Sequence, residues 1–315
     1  MGPDTGPGVT ARRILVTGAR GFVGRHLIAR LRAEMPDADA VEAGFDLTDP
    51  AAIEDAVRAL RPEACVHLAA VAAIPAARQD PQRAWRVNLD GTLALARAVV
   101  AHAPGCVLVF ASSADAYGDS FRGGRALDET AALAPRNTYA ATKAAADLAL
   151  GAMAAEGGLR VLRLRPFNHT GPGQSSAYVV AAFAEQVARI AAGLQAPVVR
   201  VGALDAVRDF LDVRDVCAAY AACVRRADEL APGTVLNLAS GVPRRVGEVL
   251  EALLRLAGVE ARVETDAARL RPSDIPTATG DAGLARRVLG WTPEIAWEQT
   301  SRDVLADWQE RVGRV

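Results

Sequence analysis

Short apolar runs alternate with longer segments of helical period along the first half of the chain. The strand-like runs are 12–17, ADAVEA (38–43), ACVHLAA (64–70), GCVLVFASS (105–113) and RVLRLRPF (160–167). The segments of helical period between them are 22–34, 50–60, 82–103 and 138–157. Apolar strands separated by covering helices are typical of a parallel sheet that is buried on both faces. The alternation therefore predicts an α/β fold built on a doubly wound parallel sheet.

The pattern becomes irregular beyond Asn168. The sequence predicts helices at 177–193, 213–226, 245–257 and 297–312, a strand at 197–201 and a further sheet strand, TVLNLAS, at 234–240. We expect a dinucleotide-binding domain over 12–169, to which elements near 205–240 return, and a smaller C-terminal substrate-binding lobe over 170–315. Residues 1–11 are rich in glycine and proline and are expected to form a flexible tail.

A glycine loop follows the first predicted strand. It reads Gly18-Ala19-Arg20-Gly21-Phe22-Val23-Gly24, with glycines spaced three residues apart. The first glycine permits a tight turn, the second lets backbone amides approach a pyrophosphate, and the third lets the helix pack closely on the strand. The helix that starts here directs its positive end toward the phosphates. This loop predicts a Rossmann-type dinucleotide site.

An acidic residue near the end of the second strand is expected to meet the adenosine ribose. Glu42 at the strand end and Asp46 in Phe45-Asp46-Leu47 are the two candidates, although Glu42 also fits a solvated surface carboxylate. Glu42 beside the ribose favours NAD by repelling the extra phosphate of NADP, whereas Arg20 would support that phosphate. The choice between NAD and NADP stays open, with NAD slightly favoured.

A single lysine occurs in the chain, although lysine and arginine together number 36. This residue, Lys143, follows Tyr139 by four positions, so both side chains project from one helical face. An ammonium near a phenol favours the phenolate and lowers the tyrosine pKa, so that Tyr139 can protonate the oxygen of a ketone reduced by hydride. Ser112 and Ser113 end the preceding strand, at the edge where such sheets bind ligands.

The composition excludes several classes of function. The net charge is −1 with interleaved signs, so nucleic-acid binding and an electrostatic membrane patch are not expected. The N-terminus lacks the apolar region of a signal peptide, and no apolar run is long enough to span a membrane. The four cysteines and four histidines have no metal-ligand spacing. We expect a cytoplasmic enzyme without a metal.

Several motifs are similar to those of extended short-chain dehydrogenase/reductases that act on nucleotide sugars. They are TGARGFVG (17–24), HLAA (67–70), VNLDGT (87–92), SSADAYG (112–118), YAATK (139–143), RPFNHTGPGQ (165–174), RDFLDVRDV (208–216), RPSDIP (271–276) and LGWTPEI (289–295). The resemblance runs from about Arg12 to Arg311. It implies catalytic roles for Ser113, Tyr139 and Lys143, with Asp115 beside them.

The resemblance also implies two sets of binding residues. The cofactor set is Gly18, Arg20, Gly21, Phe22, Val23, Gly24, Glu42, Asp46, Leu47, Leu68, Ala69, Ala70, Asn88, Ser112, Tyr139, Lys143, Pro166 and Phe167. The substrate set is Ser113, Asp115, Asn168, Arg208, Arg271 and Asp274. Within these sets Asn88 braces the region of Lys143, while Asn168 and Arg208 hold the diphosphate. An ion pair with a neighbouring aspartate is the alternative for Arg208, and His169 fits either packing or substrate contact.

The implied reaction is NAD(P)H-dependent reduction of a nucleotide-linked 4-keto-6-deoxyhexose. RPFNHTGPGQ with RDFLDVRDV is most similar to reductases that convert GDP-4-keto-6-deoxymannose to GDP-D-rhamnose, and next to GDP-mannose 4,6-dehydratases. The dehydratases carry glutamate where Asp115 stands, and the shorter side chain favours simple reduction. The alternatives are a 4,6-dehydratase or a 4-epimerase that uses tightly bound NAD(P). The Ala/Leu-rich segments 89–103 and 138–157 predict a homodimer, because related enzymes pair through these helices.

Overall fold

The computed structural model describes residues 12–267 and 275–313. The strands are β1 (Arg12–Thr17), β2 (Ala38–Glu42), β3 (Ala64–His67), β4 (Val107–Ala111), β5 (Arg160–Pro166), β6 (Asn168–Thr170), β7 (Val198–Val201), β8 (Val207–Asp212), β9 (Val235–Leu238), β10 (Pro243–Arg245), β11 (Arg262–Thr265) and β12 (Thr277–Ala278). The predicted flexible tail, 1–11, lies outside the described residues.

Helices occupy most of the chain between these strands. The α-helices are α1 (Phe22–Glu34), α2 (Pro50–Leu60), α3 (Ile74–Gln79), α4 (Pro81–Trp85), α5 (Thr92–His102), α6 (Thr138–Ala155), α7 (Val179–Ala191), α8 (Val213–Arg225), α9 (Val246–Ala257), α10 (Gly283–Leu289) and α11 (Trp297–Gly313). A π-helical turn covers Arg86–Gly91, and 3₁₀-helices cover Ala114–Gly123 and Ala227–Glu229.

Six parallel strands form the main sheet in the order β2-β1-β3-β4-β5-β9. The order reverses between β1 and β3, which is the topological switch point where doubly wound sheets bind ligands. The predicted α/β class and doubly wound sheet are therefore confirmed. The late strand β9 joins β5 through the pairs from Arg163↔Val235 to Pro166↔Leu238.

Alternate residues of the strands enter two cores on opposite faces of the sheet. Ile14 and Val16 of β1 pack in the core that includes α1 and α8, whereas Leu15 packs in the core that includes α2, α5 and α6. Side chains along a strand alternate between faces, so a sheet covered on both sides needs apolar residues at every position. This requirement explains the uninterrupted apolar runs of the sequence.

The C-terminal part builds a third core. Residues of α7, α9, α11 and β7 form it, together with Phe210 of β8. Strand β8 lies at the centre of a small second sheet and pairs with β6, β10 and β12. Two-residue and three-residue strands such as β12 and β6 carry too little periodicity to be predicted from the sequence. No helix within 12–267 or 275–313 combines the length and apolarity needed to cross a membrane.

The predicted helix 82–103 is the one long segment that the structure divides. It consists of α4, the π-helical turn and α5. At the end of this turn, a β-carbon on Gly91 would lie 2.5 Å from the carbonyl oxygen of Leu47. The close approach of the two backbones thus depends on glycine, and the bulge places Asn88 in the protein interior, where it is 1% exposed.

Candidate active site

The glycine loop forms a tight turn at the carboxyl end of β1. Gly18 has φ +70°, and a β-carbon on it would lie 2.8 Å from the backbone nitrogen of Ala69. The amide of Gly21 donates to the carbonyl of Gly18 at 2.9 Å, and α1 begins at the next residue. The N-cap residue of α1, Gly21, has no side chain with which to cap the amides of the first turn. These amides and the close backbone packing fit the pyrophosphate of a dinucleotide.

Gly24→Ala is expected to weaken NADPH binding about tenfold or more. The added β-carbon would overlap the carbonyl oxygen of Gly18 and the backbone of Ala19, so the loop must move away from its phosphate-binding shape. Overpacking of this kind also destabilises a protein by about 1–3 kcal/mol. Calorimetric titration with NADPH and thermal unfolding measure the two effects.

Gly44→Ala is the matched control, because nothing lies within 4 Å of the position that its β-carbon would take. This variant should bind NADPH as the original protein does. Unchanged affinity in Gly24→Ala would contradict the assigned role of the loop.

The expected adenosine end of the site contains an ion pair. The Arg20 guanidinium lies 3.3 Å from the Glu42 carboxylate, and the arginine side chain is 94% exposed. A surface cleft beside this pair is lined by both residues and by Arg25 and Arg32. The second candidate acid, Asp46, accepts hydrogen bonds from the amide and hydroxyl of Thr48, which lower the pKa of Asp46.

The side chains of Tyr139, in the first turn of α6, and Ser113, two residues after the end of β4, contact each other. Asn137 caps α6 by accepting a hydrogen bond from the Ala140 amide at 2.9 Å, so Tyr139 lies in the first turn. Ser113 accepts a hydrogen bond from the amide of Asp115 at 3.1 Å. Its own hydroxyl bonds the side chain of Tyr139, which favours the phenolate. The predicted neighbours are thus brought together.

The pKa of Tyr139 moves in the direction opposite to the prediction. Burial raises it, the nearby charge of Asp115 raises it further, and the hydrogen bond from Ser113 only partly opposes them. Lys143 does not produce the lowering that the sequence predicted. The prediction is wrong for the polypeptide by itself, because desolvation of the phenolate outweighs the favourable groups. Tyr139 is protonated at neutral pH, as a proton donor must be.

Lys143 lies one helical turn after Tyr139 on α6 and is 3% exposed. Its ammonium donates a hydrogen bond of 2.7 Å to the carbonyl oxygen of Ala111 and lies 5.0 Å from the centre of the Phe110 ring. Burial lowers the pKa of Lys143 to about 8, and the charge of Asp147 opposes this shift. The compact ammonium fits a site that the larger guanidinium fork of arginine would not.

Asp115 and Arg208 face each other at the open side of the site. The Asp115 side chain is exposed there, where desolvation by the surrounding protein atoms raises its pKa and the charge of Arg208 opposes the rise. The guanidinium of Arg208 also donates to the carbonyl oxygens of Val207 at 2.7 Å and Ile275 at 3.1 Å. These main-chain contacts fix the position of the Arg208 guanidinium near the charge of Asp115.

A buried chain of hydrogen bonds, which the sequence did not predict, joins β1 to α6. The Thr17 hydroxyl bonds His67 Nδ1 at 2.7 Å, and His67 Nε2 bonds the Thr92 hydroxyl at 2.9 Å. The hydroxyl of Thr92 donates to the carbonyl of Asn88, and the amide group of Asn88 donates to the Thr142 hydroxyl at 2.9 Å.

His67 is the titratable member of this chain. Burial and the charge of Lys143 lower the pKa of His67 to about 3, so the ring is neutral. Because the hydroxyl of Thr92 already donates to a carbonyl, the proton of His67 is assigned to Nε2 and the lone pair to Nδ1. The sequence signal for this chain of hydrogen bonds was a polar residue at the end of an apolar strand, Thr17 in β1 and His67 in β3. Asn88 braces the residue next to Lys143, as the resemblance implied.

The remaining predicted residues occupy different environments. Asn168 is exposed at the start of β6, whereas the Phe167 side chain is 2% exposed and packs edge-on against Phe121. Phe167 can therefore meet a nicotinamide only through its backbone. Arg271 and Asp274 lie outside the described residues.

Other predicted cofactor residues have structural partners of their own. The hydroxyl of Ser112 donates to Asp147 at 2.7 Å, and the Leu47 side chain is buried. His169 stacks on Phe22 with ring centres 6.4 Å apart. This contact supports the packing alternative for His169. Within 12–267 and 275–313, no group of three or more His, Cys, Asp or Glu side chains is arranged to hold a metal.

Comparison with known proteins identifies the family. A model of the NAD dependent epimerase/dehydratase family matches residues 14–239. The chain belongs to this family. It is 39% identical over 307 residues to the GDP-6-deoxy-D-mannose reductase of Pseudomonas aeruginosa, covering 96% of this chain and 98% of that protein. The predicted membership among extended short-chain dehydrogenase/reductases is confirmed.

Solved structures of family members have the same fold. RMD from Pseudomonas aeruginosa in complex with NADPH superposes with a TM-score of 0.88 and 37% identity, covering 96% of this chain and all 100% of that one. The UDP-glucose 4-epimerase of Thermus thermophilus in complex with NAD gives a TM-score of 0.81 and 29% identity, with 94% and 99% covered. The chain is therefore an epimerase/dehydratase-family enzyme over nearly its whole length.

Proposed function

We propose that this enzyme reduces the C4 ketone of GDP-4-keto-6-deoxymannose with NAD(P)H and yields GDP-D-rhamnose. The observation that carries the proposal is the contact of Ser113 with Tyr139 beyond the carboxyl end of β4, with Lys143 one helical turn further along α6 and bonded to Ala111 at the end of the same strand. They occur in a chain that is 39% identical to a GDP-6-deoxy-D-mannose reductase along nearly its whole length. The resemblance of the RPFNHTGPGQ and RDFLDVRDV motifs supports the same substrate class.

The nicotinamide, when bound, supplies the hydride. Ser113 holds the ketone oxygen by a hydrogen bond and orients it toward Tyr139. The phenol of Tyr139, which is protonated at neutral pH, gives its proton to that oxygen as negative charge develops. Lys143 provides a fixed positive charge behind the phenol and offers donors to the ribose hydroxyls. The buried chain of hydrogen bonds from Thr17 to Thr142 fixes the position of the glycine loop relative to α6.

Asp115 and Arg208 are proposed to contact the sugar nucleotide. Arg208 supplies donors suited to a diphosphate oxygen, and its main-chain contacts hold the guanidinium in place. Asp115 is one methylene shorter than the glutamate of similar dehydratases. Reacting atoms must be placed within about 1 Å, so the shorter acid favours reduction over removal of the C5 proton.

The cofactor is proposed to be NADPH or NADH. The relative of known structure from Pseudomonas aeruginosa binds NADPH, and that from Thermus thermophilus binds NAD. The ion pair with Arg20 holds Glu42 and neutralises part of its repulsion toward a 2′-phosphate, while Arg20 itself offers that phosphate a cation. We therefore propose no preference between NAD and NADP, in place of the slight preference for NAD that the sequence suggested.

The test is an assay of the purified enzyme with GDP-4-keto-6-deoxymannose and either reduced cofactor. We expect one equivalent of NADPH or NADH to be oxidised for each equivalent of GDP-D-rhamnose formed. A 4-epimerase or 4,6-dehydratase would instead convert its nucleotide sugar with no net change in nicotinamide absorbance. No oxidation of either cofactor would contradict the proposal.

We also propose that two copies pair through the outer face of α6. Leu148 is 60% exposed there, and Ala141, Ala145 and Ala152 lie on the same face. Trp85 of the neighbouring α4 is 38% exposed. Small residues around one large apolar side chain allow two helices to approach closely, and an apolar face of this kind fits a second copy of itself.

Leu148→Glu is expected to convert the dimer to a monomer, because two buried carboxylates would face each other at the symmetric contact. Light scattering after size exclusion measures the mass. Leu194→Glu is the control, since Leu194 is 54% exposed and follows the last residue of α7 by three positions. Equal masses for the two variants would contradict the assigned interface.

The two parts of the chain are proposed to divide the substrates between them. The domain over 12–169, with the elements near 205–240, takes the dinucleotide. The lobe over 170–315 takes the sugar nucleotide, with Arg208 at the boundary between them. A cytoplasmic location remains a prediction of the sequence.

A further inference from the structure

Asp147 extends the catalytic face of α6 by one turn. It follows Lys143 by four residues, as Lys143 follows Tyr139, so all three side chains lie on one face. The Oδ2 atom of Asp147 accepts a hydrogen bond from the Ser112 hydroxyl at 2.7 Å. Together the three positions contact the consecutive residues 111–113 at the end of β4.

The carboxylate of Asp147 is fully buried and fully bonded. Arg165 donates from Nε to Oδ2 at 2.9 Å and from Nη2 to Oδ1 at 3.0 Å. Arg163 donates to Oδ1 and to the main-chain carbonyl of Asp147, both at 3.0 Å. With the bond from Ser112, these contacts join α6, β4 and β5 through one side chain. Bidentate pairing of this kind fixes the position of the carboxylate as well as its charge.

The charge of Asp147 also acts on Lys143. Asp147 opposes the fall in the pKa of Lys143 that burial causes. The other groups near Lys143 are the Phe110 ring on β4, the neutral His67 on β3 and Tyr139 on its own helix. Within the described residues, Asp147 is the negatively charged group that acts on Lys143.

We propose that Asp147 is a positioning residue that holds residues 111–113 against α6 and places a carboxylate one helical turn from Lys143. Its carboxylate makes no step of the reaction and acts through Ser112 and Lys143. The effect on rate rests on the proposed reductase function, whereas the effect on Lys143 does not.

The absence of any other lysine makes this role measurable without a substrate. Protein labelled with ε-¹³C lysine gives one side-chain resonance, and its titration reports the ionisation of Lys143. The original protein should titrate near pH 8. In Asp147→Asn the midpoint should fall by about one pH unit or more, because removal of a neighbouring negative charge disfavours the ammonium. An unchanged midpoint would overturn the proposal.

Ser112→Ala removes the hydrogen bond that positions residues 111–113 but keeps the charge of Asp147. The ion pairs of Asp147 with Arg163 and Arg165 stay in place. The variant should keep the Lys143 midpoint, while kcat falls about tenfold. If Asp147→Asn does not fold, this variant decides alone, and an unchanged kcat would refute the positioning role. Asp215→Asn is the control, since Asp215 is a buried acid on α8 that accepts from the Ile295 amide. It should keep both the titration and kcat.

The two kinds of failure are distinguishable. If the reduction assay fails, the midpoint in Asp147→Asn still tests the effect on Lys143. If reduction occurs and the midpoint does not move, the proposed function stands and the role of Asp147 is wrong.

Discussion

Tyr139→Phe is expected to lower kcat for NADPH-dependent reduction by about 10²–10⁴-fold, which is the usual contribution of a positioned proton donor. The variant loses only the hydroxyl, so the ring still packs at the start of α6. Ser113 keeps its bond from the amide of Asp115 and cannot replace the donor, because its hydroxyl is required by the substrate oxygen. Steady-state kinetics with both substrates saturating measure the effect.

Cofactor binding provides the control for the phenylalanine variant. The glycine loop and Lys143 do not depend on the phenol, so the Kd for NADPH should stay within about threefold of the original value. A fully active Tyr139→Phe would refute the mechanism. A variant that lost cofactor binding together with activity would instead show that the phenol supports the fold of the site.

Lys143→Arg is expected to lower kcat by about 100-fold, although it keeps the positive charge. Lys143 is 3% exposed, and its ammonium donates to the carbonyl of Ala111 and lies 5.0 Å from the centre of the Phe110 ring. A planar guanidinium is larger and directs its donors differently, so it must displace β4 or Tyr139. Misplacement of reacting groups by about 1 Å can reduce the rate by about 10²-fold. Kinetics and NADPH titration measure the loss.

Arg286→Lys is the control for this exchange, because Arg286 is exposed on α10, away from the site. It should leave kcat unchanged and confirm that the chain tolerates lysine where geometry is not critical. Normal turnover in Lys143→Arg would mean that the single lysine reflects composition and not the chemistry of the site.

The sheet strands were predictable because the burial of both faces imposes the same chemistry on every position. Strands such as Val107–Ala111 are apolar throughout, and each predicted sheet strand is confirmed with ends that differ by at most three residues. Helices α1 and α2 match the predicted limits 22–34 and 50–60, since an amphipathic period and clear ends coincide there. The π-helical turn was not predictable, because it depends on the close approach of Gly91 to the backbone of Leu47, which is distant in sequence.

For some residues of the site, the sequence indicated a buried charge but not the residue that pairs with it. Arg163 and Arg165 alternate within an otherwise apolar strand, and Asp147 is the one acid within α6. Each signal indicates a buried charge that needs a partner, but only the packing of α6 on β5 identifies which charges pair. The direction of the Tyr139 pKa was missed for a related reason. Desolvation depends on everything that surrounds the phenol, whereas the spacing of Tyr139 and Lys143 depends on the helix alone.

The sequence by itself determined the family, the parallel sheet, the glycine loop and the presence of Ser113, Tyr139 and Lys143 on adjoining elements. These features depend on local spacing and on the alternation of apolar segments, which the chain carries in order. Tertiary structure alone decided the chain of bonds from Thr17 to Thr142, the facing of Asp115 and Arg208, and the burial that sets each pKa. These arise from contacts between residues that are distant in sequence, and their strength depends on how much water the folded protein excludes.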